Sequence, residues 1–166
     1  HLKPRTDEEL SQFTKEKERL SSDTKIIPKS GSESAPYVSS SGNRVFHTIR
    51  DAWSGCGLWY PNPGRSSAQC YRNFKHFIGP EWKTMPHLLV KIDCASELKL
   101  AVEDLGWHPE SSLANTWPHN AIHERWLRTV EQTSRAIIGQ SGFPHQCWDH
   151  AVKYACMIIN LSLIHI

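Results

Sequence analysis

The sequence predicts an α/β domain with a mixed sheet, and three features lead to that prediction. The 166 residues suffice for one domain with a hydrophobic core, but not for two ordinary domains. Short β-branched and aromatic segments come first and then alternate with segments of helical periodicity. Gly and Pro residues punctuate these segments where turns are needed. This pattern is typical of strands and helices that share one core.

Composition narrows the class of protein further. Apolar residues make up 39% of the chain, with seven Trp and five Phe, which is typical of a globular protein. Uninterrupted apolar stretches, such as the one that contains Met157–Ile159, are far shorter than the ~20 residues of a membrane-spanning helix, so we expect no membrane span. The net charge of +2 neither indicates nor excludes a nucleic-acid partner, which requires a local basic patch.

Residues 1–44 differ from the rest, and we expect them to be largely disordered. Thr6–Glu9 matches a helix-start capping box, which predicts a short exposed helix from about Asp7 to Leu20. Ser21–Asn43 is rich in Ser and poor in apolar residues, which is typical of a linker. The ordered domain is therefore expected to span residues 45–160.

The first half of that domain predicts a hairpin and then a helix. Val45–Ile49 and Cys56–Tyr60 have strand composition, and the turn between them leaves Asp51 at the end of the first strand. Ser66–Ile78 has apolar residues at helical spacing, and Gly79 with Pro80 ends that helix.

The second half alternates strands and helices. His87–Ile92 is a nearly continuous apolar run that is typical of an interior strand, and Asp93 follows it directly. The remaining predicted elements are a helix at Ser96–Leu105, a strand at Trp107–Ser112, and two long helices at His119–Ile138 and His145–Asn160.

Three acidic residues occupy positions that favour metal chemistry. Asp51 and Asp93 each end a predicted strand, and Glu124 lies in the first turns of a long helix. Strand-end carboxylates in α/β sheets commonly point into the crevice that holds the site. Such carboxylates would repel each other by about 4 kcal/mol per pair at ~4 Å near a protein surface. Mg²⁺ or Mn²⁺, which prefer oxygen ligands, would remove that repulsion.

The helix that carries Glu124 is predicted to be amphipathic. Its apolar face consists of Ile122, Trp126, Val130, Thr133 and Ile137. Its opposite face consists of Asn120, Glu124, Arg128, Glu131 and Arg135. That polar face allows two interpretations: a carboxylate for metal beside a guanidinium for phosphate, or an ordinary solvated surface with ion pairs.

Several motifs resemble a known family. Residues 118–125, P-H-N-A-I-H-E-R, resemble the P-x-N-G-x-x-E-R signature of retroviral and copia-type retrotransposon integrases. Asp93–Leu98 resembles the family's D-N-x-x-E-[FL] segment, and Asp51–Gly55 its D-x-x-S segment. The resemblance extends over roughly residues 45–160 with the motifs in the family's order.

The resemblance implies a fold, an activity and a set of site residues. The fold would be ribonuclease-H-like, with a five-stranded mixed sheet flanked by helices. The activity would be hydrolysis near the ends of a mobile element followed by joining of the freed 3′-OH to target DNA, with two Mg²⁺ (or Mn²⁺) ions. The catalytic and metal-binding residues would be Asp51, Asp93 and Glu124. The DNA-binding residues would be Asn120, Arg125, Arg128 and Arg135.

The family also implies partners and a compartment. The partners would be DNA, both the element ends and the target, and further copies of the full-length protein in a homo-oligomer. The protein would act in the nucleus, or otherwise be found in a cytoplasmic particle.

Departures from the family pattern leave other interpretations open. Cys94 and Ala121 replace the family's Asn and Gly, and only thirty residues separate Asp93 from Glu124. A catalytically decayed, nucleic-acid-binding remnant of the same fold is the main alternative, and a ribonuclease-H-like nuclease is a further one. Residues 161–166 match the translation of an adapter used in sequencing libraries, and we expect them to be a non-native tail.

Overall fold

A computed structural model of the protein describes residues 18–26, 28–29, 32–36, 38–111 and 121–164. Its strands are β1 (Arg19–Ile26), β2 (Pro28–Lys29), β3 (Ser32–Pro36), β4 (Val45–Asp51), β5 (Gly57–Asn62), β6 (Leu89–Ile92) and β7 (His108–Ser111). Its α-helices are α1 (Ser67–Ile78), α2 (Ser96–Asp104), α3 (Ala121–Ser141) and α4 (Trp148–Ile164), with 3-10 helices at Pro80–Thr84 and His145–Cys147.

Five strands form one mixed sheet in the order β5-β4-β1-β6-β7. β1 is parallel to β6 and β6 to β7, whereas β4 is antiparallel to both of its neighbours, β1 and β5. This arrangement confirms the predicted five-stranded mixed α/β sheet and is consistent with a ribonuclease-H-like fold. β2 and β3 pair separately as a two-stranded sheet.

The central strand of the sheet lies where the sequence predicts a helix and a disordered linker. That expectation is wrong for β1, Arg19–Ile26. The strand is rich in Ser and Thr, yet Ser21, Ser22 and Thr24 are buried because partners far along the chain accept or donate their hydrogen bonds. The rest of the predicted helix at Asp7–Leu20 lies almost wholly outside the described residues.

The other predicted elements are confirmed, with ends shifted by at most four residues. Helix α1 shows why local signals suffice there. The Ser66 side chain accepts a hydrogen bond from the Gln69 backbone N–H at its start, and Gly79 ends the helix at φ 81°. No described helix is long and apolar enough to cross a membrane.

The sheet separates two hydrophobic clusters. The cluster under α1 and α2 contains Leu20, Ile49, Phe74, Ile78, Val90, Leu98, Val102 and Trp107, among others. The cluster under α3 and α4 contains Phe46, Trp59, Trp126, Leu127, Val130, Trp148, Val152 and Ala155, among others. Because helices cover both faces of the sheet, its middle strands are buried. Residues at the ends of these strands therefore have a fixed position.

Candidate acidic site

Two aspartates lie side by side on the central parallel strands. The register pairs Ser22 of β1 with Ile92 of β6, so the next residues, Asp23 and Asp93, are neighbours on adjacent strands. Asp23 is half-buried and Asp93 is exposed, with its Oδ1 accepting a hydrogen bond from Ala95 N at 3.2 Å. Burial, and then the charge of Asp93, raises the pKa of Asp23 from 3.8 to about 6. The negative charge of Asp93 therefore disfavours the ionised form of Asp23, and a bound cation would relieve that repulsion.

Positive groups flank this acidic pair. The charges of Lys25 and Arg65 act to lower the pKa of Asp23, although they do not outweigh burial. Arg65 donates to the backbone oxygen of Thr24 at 3.2 Å, and its Nε lies 3.9 Å from Glu97 Oε1. Thr24 Oγ1 donates to the same carboxylate oxygen at 3.2 Å. Glu97 is thus a third carboxylate near β1, but it is engaged by Arg65 and Thr24.

Asp51 is buried and contacts the turn that follows its own strand. It is 2% exposed, and its Oδ2 accepts hydrogen bonds from the backbone N of Ser54 at 2.8 Å and from Ser54 Oγ at 2.6 Å. These bonds close the turn between β4 and β5, as an Asx turn does. Gly55, at φ 73°, completes that turn with a conformation that favours glycine. The contacts of Asp51 with Ser54 thus stabilise a turn.

Asp51 and Asp93 do not lie in one pocket, which corrects the expectation from the sequence. Asp51 pairs with Leu20, three residues before Asp23 on β1, or about 10 Å along the strand. β1 also lies between β4 and β6, which adds a further ~10 Å across the sheet. The physical reason is strand direction. β4 is antiparallel to β1, whereas β6 is parallel to β1, so β4 and β6 finish at opposite ends of the strands of the sheet.

A buried histidine ties helix α3 to the strand that carries Asp23. His123 is 1% exposed, with Nδ1 at 2.8 Å from Ser21 Oγ and Nε2 at 3.0 Å from Thr48 Oγ1. Thr48 Oγ1 donates its one proton to the backbone oxygen of Asp23 at 3.0 Å, so it accepts from His123. Nε2 therefore carries the single ring proton. Nδ1 accepts from Ser21 at 2.8 Å, a shorter contact than the 3.4 Å between Ser21 Oγ and the backbone oxygen of Arg50. The result is a directed chain of hydrogen bonds that ends on the backbone of Asp23.

His47, on the other face of the same strand pair, follows the same logic. Ser22 Oγ donates to the backbone oxygen of Thr48 at 2.8 Å, so it accepts from His47 Nε2, which lies 2.7 Å away. His47 Nδ1 then accepts from Asn73 Nδ2 at 3.2 Å. Burial lowers the pKa of both His47 and His123 to about 3, and both rings are neutral at physiological pH.

Helix α3 presents the predicted polar residues to solvent. Glu124, Arg125, Arg128 and Arg135 are exposed, whereas Asn120 lies outside the described residues. The predicted apolar face needs one correction. Ile122 is 39% exposed while Leu127 is buried, so the apolar face is rotated toward Leu127. Glu131, on the predicted polar face, forms an ion pair with Lys25 of β1.

The described residues hold an acidic pair but not an acidic triad. Within ranges 18–26, 28–29, 32–36, 38–111 and 121–164, no three His, Cys, Asp or Glu side chains are grouped so as to hold a metal ion. Glu124 is accordingly not brought together with Asp23 and Asp93. Two oxygen donors at a half-buried position fit a hard divalent cation that keeps some of its water ligands.

Comparisons with known proteins find similarity both in sequence and in fold. The chain is 33% identical over 57 residues, 34% of its length, to the Retrovirus-related Pol polyprotein from transposon TNT 1-94 of Nicotiana tabacum, and these residues cover 4% of that protein. Its fold matches a chain of the cryo-EM structure of the simian T-cell lymphotropic virus intasome in complex with PP2A regulatory subunit B56 gamma. That match has a TM-score of 0.56 and 13% identity, over 82% of this chain and 46% of that one. It shows a shared fold, and this chain spans less than half of either relative. No protein-family model matches.

Sequence reasoning missed Asp23, although a weak signal for it exists. Residues Leu20, Ser22, Thr24 and Ile26 alternate with Ser21, Asp23 and Lys25, which is the period of a strand. The alternation is hard to recognise as a strand because its inward-facing side chains include Ser and Thr, which do not count as apolar residues. Asp23 becomes visible as a site residue once β1 is placed between β4 and β6.

Proposed function

We propose that this domain is an integrase-related polynucleotidyl transferase core that cleaves and joins DNA with divalent metal ions. The observation that carries the proposal is the acidic pair, Asp23 and Asp93, on the two central parallel strands of a ribonuclease-H-like sheet. In this proposal Asp23 takes the role that the sequence had suggested for Asp51. The local similarity to a transposon Pol polyprotein and the fold shared with an intasome structure support the same class of protein.

The acidic pair supplies the oxygen ligands that this chemistry requires. When bound, a divalent cation such as Mg²⁺ lowers the pKa of the attacking water or hydroxyl and stabilises charge on the phosphoryl oxygens. Asp23 and Asp93 would hold it. Because the pKa of Asp23 is raised to about 6, this carboxyl binds a proton in mild acid, and cation binding then has to displace that proton.

Residues around the pair orient it and bind the polyanion. The hydrogen bond from Thr48 to the backbone oxygen of Asp23 fixes the backbone that carries this carboxylate. Arg65 and Lys25 contribute positive charge beside it.

Arg125, Arg128 and Arg135 form an exposed basic row on α3 that is suited to phosphates of element ends or target DNA. Glu124, exposed on the same helix, is the proposed third carboxylate, by resemblance to the family signature.

The experiment combines DNA joining with metal binding. We expect the full chain to join a labelled DNA end to a target duplex with Mg²⁺ or Mn²⁺, and Asp23→Asn and Asp93→Asn each to lower the rate at least 100-fold. Asp51→Asn, with folding checked by circular dichroism, is the matched control and should retain activity. In parallel, titration calorimetry with Mn²⁺ should show binding that Asp23→Asn weakens at least 10-fold. Unchanged joining and unchanged Mn²⁺ binding in Asp23→Asn would overturn the proposal.

One observation favours a second candidate, a non-catalytic nucleic-acid-binding remnant of the fold. The described residues group two carboxylates rather than three, and Cys94 is exposed directly beside Asp93. A remnant would bind DNA equally well with and without Mg²⁺ and would not join it. Glu124→Gln separates the two: it should abolish joining by an active enzyme, and it should change nothing in a remnant.

A further inference from the structure

A cleft opens at the edge of the sheet that is farther from the acidic pair. It has a volume of about 720 Å³ and lies beside edge strand β5, between α1 and α4. α1 contributes Gln69, Arg72, Asn73 and His76 to its wall, and α4 contributes Lys153. None of the residues that line it is Asp or Glu. β5 and the residue after it contribute Leu58, Trp59, Tyr60, Asn62 and Pro63, so the cleft combines cations, amides and a histidine with a larger apolar surface.

The two cations of the cleft are available to an external anion. In the part of the chain that the structure describes, neither Arg72 nor Lys153 pairs with a carboxylate, and both are exposed. Arg72 uses Nε to donate to the backbone oxygen of Ala68 at 3.3 Å, which leaves its terminal N–H groups free to fork onto a phosphate. His76, on the same wall, is hydrogen-bonded through Nδ1 to Tyr60 at 3.1 Å.

The edge of β5 is closed to an added strand, which excludes backbone pairing as the way in which a partner binds here. The outward-facing N–H and C=O of Gly57 are bonded to the Asn160 side chain at 3.1 and 2.9 Å. Pro61, the outward-facing residue four positions on, has no N–H to offer. Pairing through the backbone is thus blocked at both ends of β5, and recognition must come from the charged wall.

The cleft is level with the acidic pair along the strands. Trp59, which lines the cleft, pairs with Thr48, and Thr48 pairs with Asp23. Two inter-strand spacings, about 10 Å, therefore separate the backbone of β5 at the cleft from that of Asp23. A nucleic-acid strand is long enough to reach both places at once, since its phosphates recur at a few ångströms.

We infer that this cleft binds the phosphodiester backbone of nucleic acid, with Arg72 and Lys153 as its phosphate contacts. The inference rests on the proposed function in taking nucleic acid as the occupant. The cleft then has a positioning role, because it holds a flanking part of the DNA while the reacting phosphate lies at Asp23 and Asp93. This binding needs no metal ion.

The test is the salt dependence of DNA binding by the full chain in EDTA. Fluorescence anisotropy with a labelled 20-base-pair duplex gives the slope of log affinity against log salt concentration. The double variant Arg72→Gln, Lys153→Gln should bind about 10-fold more weakly in low salt, with a slope smaller by about 1.8, since each lost phosphate contact removes about 0.9. The matched control, Lys83→Gln with Lys99→Gln, removes the same charge elsewhere and should leave the slope unchanged.

The outcomes separate this inference from the proposed function. A slope that is unchanged in the Arg72, Lys153 variant overturns the inference, even where Asp23→Asn abolishes joining. A reduced slope together with full joining by Asp23→Asn overturns the proposed function and leaves the cleft assigned. Polyglutamate that displaces the duplex as well as unlabelled DNA does would identify an acidic-peptide surface instead, and would also overturn the inference.

Discussion

Replacement of Asp23 by Asn should make the protein more stable, because the charge of Asp23 is unfavourable in the folded chain. Its pKa rises from 3.8 to about 6 on folding. The folded state therefore loses stability as the pH rises from 3.8 through 6, at about 1.4 kcal/mol per pKa unit. The whole effect is about 3 kcal/mol at pH 7.5 and about half of that at pH 5. Asp23→Asn should recover this free energy of unfolding in both conditions.

Urea denaturation in EDTA at pH 7.5 and pH 5 measures these differences. Mg²⁺ should then stabilise the wild type but not Asp23→Asn, because only the wild type keeps both ligands of the pair. Asp51→Ala is the contrasting variant: it leaves the Ser54 donors without their acceptor and should cost about 1–3 kcal/mol at either pH. An Asp23→Asn protein that is less stable than the wild type at pH 7.5 would refute the argument.

Two further predictions concern the core. His47 and His123 stay neutral in the folded protein but gain a proton below pH 6.5 in the unfolded chain. The free energy of unfolding should therefore fall as the pH is lowered from 6.5 toward about 3, by about 1.4 kcal/mol per pH unit for each histidine. Urea midpoints across that pH range test this prediction, and a flat profile would contradict it. Gly57→Ala should cost about 1–3 kcal/mol because the new Cβ would lie 2.3 Å from Trp126 Cζ2, whereas Gly139→Ala, with open space around it on an exposed helix, should gain about 0.5–1 kcal/mol in the same melts.

Local signals in the sequence predict most of the fold. Helix α1 is fixed by its own Ser66 cap and by Gly79, and β6 by an apolar run, so each can be located without its neighbours. β1 cannot. Its Ser and Thr side chains are satisfied by His47 and His123, which lie 25 and 102 residues away from their partners, and no local pattern contains that information.

The candidate site is predicted in part, and the error has a single cause. Asp93 is correctly placed after an interior strand, and its neighbour on the sheet carries the second acid of the pair. Asp51 is also correctly placed at a strand end, but the sequence does not state strand direction. With β1 unrecognised, nothing in the sequence shows that β4 and β6 run in opposite directions, and the two aspartates are expected to converge because both end a strand.

The directed hydrogen bonds around His123 have a consequence for the history of this chain. Each hydroxyl there has one proton, already committed, so the hydrogen bonds of Ser21, Thr48 and His123 depend on one another. An apolar residue in place of the histidine would leave Ser21 and Thr48 without a ring partner, and a lineage that lost one member should have replaced the others soon afterwards. Relatives should therefore carry either this whole trio or an apolar substitute for it, and mixed combinations should be rare.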